Sequence, residues 1–234
     1  MDGILLVDKP SEWTSMDVCA HLRGVLHERH IGHTGTLDPN ATGLLVVLTG
    51  KGTKAAKYAE NDKKEYIARM RLGVRTDTQD IWGTILEENH ESRTKDEIEA
   101  VLNRFRGDIL QLPPMYSAIK IRGKKLYEIA RRGGDVEREP RPITIYRLDV
   151  TDVDENGDWG LLIECSKGTY IRTLCSDIGD ALGCGGCMSA LRRTRAGDFH
   201  ISEAHTLEEI RANPEGYILP VERITGKVTA NERG

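Results

Sequence analysis

The sequence predicts an α+β fold with a mixed, mostly antiparallel sheet flanked by helices, and three observations carry that prediction. Alternating apolar and polar positions mark strands at 64–72, 142–153 and 159–165. Glu155-Asn156-Gly157-Asp158 between the last two is a hairpin turn signal. Capping boxes open helices at Thr94-Lys95-Asp96-Glu97 and Thr206-Leu207-Glu208-Glu209.

Taken in order, Gly3 to Val7 is a short apolar strand that ends in the turn signal Asp8-Lys9-Pro10. Thr14 or Ser15 then caps a helix with Val18, Leu22, Val25 and Leu26 on one face. His27, His30 and His33 follow, but no carboxylate or cysteine at ligand spacing joins them, which argues against zinc. The stretch from Gly32 to Gly43 is a loop built for exposure: it holds three glycines, and Pro39 pushes Asp38 toward extended geometry. An Asp before Pro often bonds only its own backbone in a turn. Here it also precedes the apolar strand Leu44-Leu45-Val46-Val47-Leu48, and a reactive group on a loop held by a rigid strand is a common site. The glycine spacing lacks the Gly-Lys-Ser/Thr ending of a phosphate loop.

Lys54 to Glu60 reads as a short helix, and the strand from Lys64 puts Tyr66 on the apolar face with Ala68 and Met70. By composition alone Tyr66 is an ordinary half-buried strand residue. Arg75-Thr76-Asp77-Thr78-Gln79-Asp80 reads as a solvated loop, its two carboxylates lacking a third metal ligand. The helix after Thr94 carries Ile98, Val101, Leu102 and Phe105 and is structural. A second short helix is expected from Lys125 to Arg132, between the glycine joints Gly123 and Gly133-Gly134. After Ser166-Lys167-Gly168-Thr169-Tyr170, a helix presents Ile171, Leu174, Cys175, Ile178 and Leu182 on its apolar face and leaves Arg172 off it. A cation in a first turn opposes the helix dipole, so Arg172 calls for an anionic partner, with Asp38 the candidate. Leu191-Arg192-Arg193-Thr194-Arg195 is a basic, strand-like run.

Composition bounds the rest. With 234 residues, 38% hydrophobic and 30% charged, the chain is a soluble globular protein with ample core. It has no membrane-length apolar run and no signal-peptide start, so a cytoplasmic location is expected. Five cysteines without an export signal imply free thiols; Cys184-Gly185-Gly186-Cys187 lacks a second such pair for structural zinc. A net charge of −4 does not mark a nucleic-acid binder, but its distribution argues the other way. From Pro113 to Arg147 nine basic residues face four acidic ones, and Tyr116 and Tyr127 lie among them, which suits a clamp on RNA and equally a solvated charged surface.

Gly-His-Thr-Gly-Thr-Leu-Asp-Pro-Asn-Ala-Thr-Gly-Leu-Leu, from Gly32 to Leu45, resembles the catalytic loop of the TruB family of tRNA pseudouridine-55 synthases. Lys64-Glu65-Tyr66, Arg75-Thr76-Asp77-Thr78, Lys167-Gly168-Thr169-Tyr170-Ile171-Arg172 and the run from Leu191 are similar to further motifs of that family. The resemblance implies the pseudouridine synthase fold over residues 1–221, with a basic insertion at about 113–142 acting as a flap on the T arm of tRNA. It implies a short tail at 222–234 without the family's usual C-terminal RNA-binding domain. Asp38 would be the nucleophile, paired with Arg172, and Tyr66 the ring against the flipped uracil. His33 would fill the gap left in the T loop, and Leu191 would line the pocket. Tyr170, Lys64 and the insertion's Lys120, Lys124 and Lys125 would contact RNA. The implied reaction needs no metal and no cofactor, and the implied partner is the T stem-loop of tRNA, met by a monomer away from membranes. Competing readings are a non-catalytic RNA-binding protein, a catalytic subunit guided by a separate RNA, and an aspartate-dependent hydrolase, which would want a second carboxylate motif.

Overall fold

The structure is a computed structural model that describes residues 1–59, 63–89, 93–117, 119–121, 123–130 and 132–224, with the backbone alone at Ala59, Lys120, Ile121, Lys124 and Lys125. Its fold is α+β, with a mixed, mostly antiparallel sheet. The chain forms two compact units, one from Met1–Tyr66 with the described residues from Leu191 onward, the other Ile67–Ala190. In chain order the first holds β1 (Gly3–Lys9), α1 (Ser15–Leu26), β2 (Ile31–Thr34), β3 (Thr42–Thr49) and α2 (Ala56–Ala59). The boundary falls within β4 (Lys64–Leu72). The second unit holds β5 (Val74–Thr76), β6 (Ile85–Glu88), α3 (Lys95–Leu102), β7 (Gly107–Gln111), β8 (Lys120–Ile121), β9 (Lys124–Lys125), α4 (Leu126–Ala130), β10 (Arg141–Val153), β11 (Trp159–Cys165) and α5 (Ile171–Ala181). The boundary falls again within β12 (Gly186–Ala196), and β13 (Phe199–His200) and α6 (Leu207–Ala212) complete the first unit.

In the first unit β3 is the spine. It pairs antiparallel with β1 and β2 and parallel with β12, where Arg192 faces Thr42. Its continuous apolar sequence is explained by burial on both faces. Leu44, Val46 and Leu48 pack with Ile4, Leu6, Ala196 and Phe199, while Leu45 and Val47 pack with Leu5, Val7 and the α1 residues Val18, Cys19, Leu22 and Leu26. Thr14 is the cap of α1, accepting from the Asp17 amide at 3.0 Å, and Asp17 returns the bond to the Thr14 amide at 2.8 Å.

In the second unit β10 pairs antiparallel with β11 and β7. Gly157, at φ 79°, closes the β10–β11 hairpin and donates to the Asp154 carbonyl at 3.0 Å. The capping boxes at Thr94 and Thr206 form as the sequence indicates. All five cysteines are free and buried. Among the described residues no helix is long and apolar enough to cross a membrane.

Three segments differ from expectation. The helix expected at Lys54 to Glu60 is a 3-10 turn, Gly50–Ala55, followed by the short α2, and Gly50 enters it at φ 56°, a conformation closed to a regular helix; Glu60 lies outside the described residues. The helix expected from Lys125 is shorter, because Lys125 belongs to β9 and Gly133, at φ 71°, ends the helical turns; Arg131 lies outside the described residues. The Arg75–Asp80 stretch is not a solvated loop: Val74–Thr76 is a strand, and the Gln79 carbonyl accepts the Met188 amide at 3.0 Å.

Candidate active site

Asp38 lies half-buried between β2 and β3, on backbone that is held on both sides. Three buried side chains do the holding. Ser15 accepts the Leu37 amide at 2.9 Å and donates back to the Leu37 carbonyl at 3.2 Å. The Lys9 ammonium donates to the Pro39 carbonyl at 2.9 Å, and to those of Pro10 and Trp13 at 2.8 and 2.6 Å. The Arg193 guanidinium donates to the Gly35 carbonyl at 3.0 Å and the Leu44 carbonyl at 2.8 Å. Inside the loop, the Ala41 amide reaches the Asp38 carbonyl at 3.1 Å.

Two glycines make this geometry possible. Gly35 sits at φ 71°. Gly43, at φ 98°, lies so close to β12 that a Cβ would collide with the Arg193 carbonyl oxygen. Glycine is therefore what lets the strand carrying Arg193 reach the loop it clamps.

Lys9 and Arg193 are 0% and 1% exposed, so two cations are buried at the base of this loop. Burial lowers the Lys9 ammonium from 10.5 to about 8; the charge of Asp38 opposes that fall and the charge of Arg193 adds to it. His33, on β2, is half-buried, and burial followed by the Arg193 charge lowers its imidazole below the ordinary 6.5. It is therefore neutral at pH 7. Its Nδ1 is buried without a hydrogen-bond partner among the described residues.

β4 places Lys64, Tyr66, Ala68 and Met70 on its buried face, the alternation that the sequence shows. Tyr66 is 7% exposed. The Lys64 Cε lies 3.6 Å from where a Cβ on Gly35 would stand, so this lysine is beside the Asp38 loop. On the opposite face Glu65 accepts the Thr194 hydroxyl at 2.8 Å. Leu191 is buried, and its carbonyl faces the Thr42 hydroxyl at 3.5 Å.

In the second unit Arg172 stands in the first turn of α5 and, contrary to its place off the apolar face, is 5% exposed. Its guanidinium donates to the carbonyls of Thr78 at 3.0 Å and Tyr116 at 2.9 Å, and its Nε lies 3.8 Å from the Asp80 carboxylate. An anionic partner is thus found within the unit. The turn that supplies it is bonded within itself and to α5: Asp80 accepts the Thr78 hydroxyl at 2.7 Å and the Trp82 amide at 3.2 Å, and Gln79, at φ 64°, accepts the Thr173 hydroxyl at 2.7 Å. Tyr170, just before α5, is held by the buried Gln111, whose amide accepts from its N–H at 2.8 Å and donates to its carbonyl at 3.0 Å. The side chains of Lys120, Lys124 and Lys125 lie outside the described residues.

Sequence reasoning missed the supporting residues Lys9, Ser15, Arg193, Gln111 and Asp80. Only Asp80 had a legible signal, the anion that a first-turn arginine requires.

Known proteins resemble this chain over nearly its whole length. Residues 23–171 match the TruB family pseudouridylate synthase N-terminal domain, and residues 172–224 match the tRNA pseudouridylate synthase B C-terminal domain. The tRNA pseudouridine synthase B of Alkaliphilus oremlandii (strain OhILAs) is 48% identical over 225 residues, covering 95% of this chain and 75% of that protein. That of Clostridium kluyveri is 45% identical over 225 residues, covering 95% and 77%. Among solved structures, a chain of a Cbf5-Nop10-Gar1 complex is similar with a TM-score of 0.76 and 31% identity, over 95% of this chain and 61% of that one. A chain of an H/ACA RNP bound to a substrate RNA containing 2'-deoxyuridine gives 0.72 and 29%, over 95% and 60%. This chain spans about three-fifths of the length of those solved chains.

Proposed function

Because the chain belongs to the TruB family of pseudouridylate synthases, we propose that it converts uridine 55 in the T loop of tRNA to pseudouridine, with Asp38 as the nucleophile. In this reaction the bond from ribose C1′ to uracil N1 breaks, the base turns, and C1′ bonds C5. The C5 hydrogen leaves as a proton and N1 gains one, so no electron is transferred. Asp38 attacks ribose C1′ or uracil C6, and either route needs a carboxylate fixed in place. The observation that carries this reading is the clamp on the carbonyls of Gly35, Leu37 and Pro39, which fixes the backbone on both sides of Asp38.

The target base leaves its stack before reaction, at a cost of a few kcal/mol that binding in the pocket offsets. Tyr66 is the ring against the extruded uracil, Leu191 lines its apolar side, and Arg172 is the cation that favours an ionised Asp38. His33, neutral, is suited to occupy the vacated place among stacked bases, where a charged ring would be costly to desolvate. Lys64, Tyr170 and the lysines at 120, 124 and 125 contact the RNA backbone and T loop.

The test is tritium release from C5-labelled uridine in a T-arm stem-loop. Asp38→Asn should abolish release and leave stem-loop binding within a few-fold of wild type; turnover retained by that variant would remove Asp38 from the chemistry.

A further inference from the structure

The first unit holds a cavity of about 610 Å³ that shares only Lys9 with the loop clamp. Its size lies in the range of about 300–1,000 Å³ typical of small-molecule sites. Pro10, Trp13, His21 and Leu207 form its apolar and aromatic wall. The Trp13 and His21 rings meet edge to face, 5.6 Å apart at 89°, which fixes the indole's orientation. Arg192 and Arg211 lie on the same cavity. Arg192 is already oriented, with its two terminal nitrogens on the Asp8 carboxylate at 3.0 and 2.7 Å, and it neutralises that acid. Lys9 is taken up by backbone carbonyls, so the cations left to the cavity are Arg192, paired with Asp8, and Arg211, with Glu208 on the same lining.

We propose that this cavity is a nucleotide site, with an aromatic base against Trp13 and a phosphate at Arg211 and Arg192. Inorganic phosphate alone would leave the aromatic wall uncovered, and a purely apolar ligand would take the charges of Arg211 and Glu208 out of water. The site adjoins the catalytic loop through the chain itself. The carbonyls of Pro10 and Trp13 hold the same ammonium that holds Pro39, so an occupant rests on the turn that anchors the Asp38 loop. The nucleotide comes either from the RNA substrate, at a position other than the isomerised uridine, or from free solution, and the RNA source rests on the function proposed above.

AMP is the probe, titrated while tryptophan emission is followed in wild type, Trp13→Phe and the exposed variant Arg211→Glu. Saturable quenching is expected in wild type, lost in Trp13→Phe, with AMP affinity reduced roughly three- to tenfold in Arg211→Glu, the worth of one charged contact. The tritium assay on tRNA then separates the sources. AMP that raises the tRNA KM at constant kcat assigns the site to an RNA nucleotide, and quenching with KM unchanged assigns it to a free one. Absence of saturable quenching at millimolar AMP, together with an unchanged tRNA KM in Arg211→Glu, overturns the site. A wild-type chain that binds AMP but releases no tritium from stem-loop or tRNA overturns the proposed function and leaves the site standing.

Discussion

At the Asp38 loop, three side chains from remote parts of the sequence reach in and hold the backbone that carries the functional group. At Arg172 the direction is reversed: the functional side chain reaches out and holds the backbone of Thr78 and Tyr116. The first arrangement depends on Lys9, Ser15 and Arg193, contributed by β1, α1 and β12. The second depends on a turn with its own bonds among Thr76, Thr78, Asp80 and Trp82, which Thr173 and Met188 hold from outside. A dispersed clamp couples the loop to the stability of its whole unit, whereas the turn at Arg172 carries part of its support in its own bonds.

Substitutions can break this comparison, and the largest effect is expected at Arg193. Arg193→Met leaves the Gly35 and Leu44 carbonyls without their donor in a buried site, and two charge-assisted bonds are worth about 3–5 kcal/mol together. Urea unfolding should show that loss along with a fall in kcat; a loss below about 1 kcal/mol would mean that the loop does not depend on this clamp.

Lys9→Met removes three bonds but also a buried charge, so a smaller loss of about 1–3 kcal/mol is expected at pH 7. Its pH dependence sharpens the assignment. Below pH 8 the ammonium is protonated in both folded and unfolded chains, and its burial cost is constant. Between about 8 and 10.5 the folded chain releases the proton first, so wild type gains stability relative to the variant, by up to about 1 kcal/mol per pH unit. Unfolding midpoints of both proteins at pH 7.5 and 9.5 measure this difference, and parallel values would show that Lys9 is not buried as a charge.

Asp80→Asn tests the turn at Arg172. An amide oxygen can still accept from Thr78 and Trp82, but the charge beside Arg172 is gone. A fall of about tenfold in kcat is expected, with a stability loss of up to about 3 kcal/mol because the pair is largely buried. Equal losses in both would make this region as coupled to folding as the Asp38 loop. The smallest effect is at Glu12, an exposed residue at φ 67° in the turn before Trp13. Glu12→Gly relieves that conformation and should shift stability upward by no more than about 1 kcal/mol in thermal melting, since glycine's added freedom in the unfolded chain offsets part of the gain.

Legibility differed in the same way as the two regions do. The strand and helix periodicities, the capping boxes at Thr94 and Thr206, the hairpin turn at Gly157 and the buried face of Tyr66 were readable because each depends on neighbours within a few residues. The short helix after Lys54 formed, with a 3-10 start, and the bonded turn at Arg75–Asp80 was misread. In one, the helical turns begin earlier, as a 3-10 turn from Gly50; in the other, the bond between Gln79 and Met188, more than a hundred residues away, pairs an apparent loop with a distant strand. Arg172 was named from its motif and dipole, yet its burial required knowing that the carbonyl of Tyr116 would be brought to it.

By itself the sequence determined the α+β class, the loop that carries Asp38 and the family to which the chain belongs, because motif words and short-range periodicities are written in consecutive residues. The tertiary structure alone decided that Lys9 and Arg193 would be spent on backbone carbonyls rather than on RNA. A cation's role is set by what faces it after folding, and nothing in Asp8-Lys9-Pro10 or Arg192-Arg193 tells a solvated charge from one enclosed by oxygens.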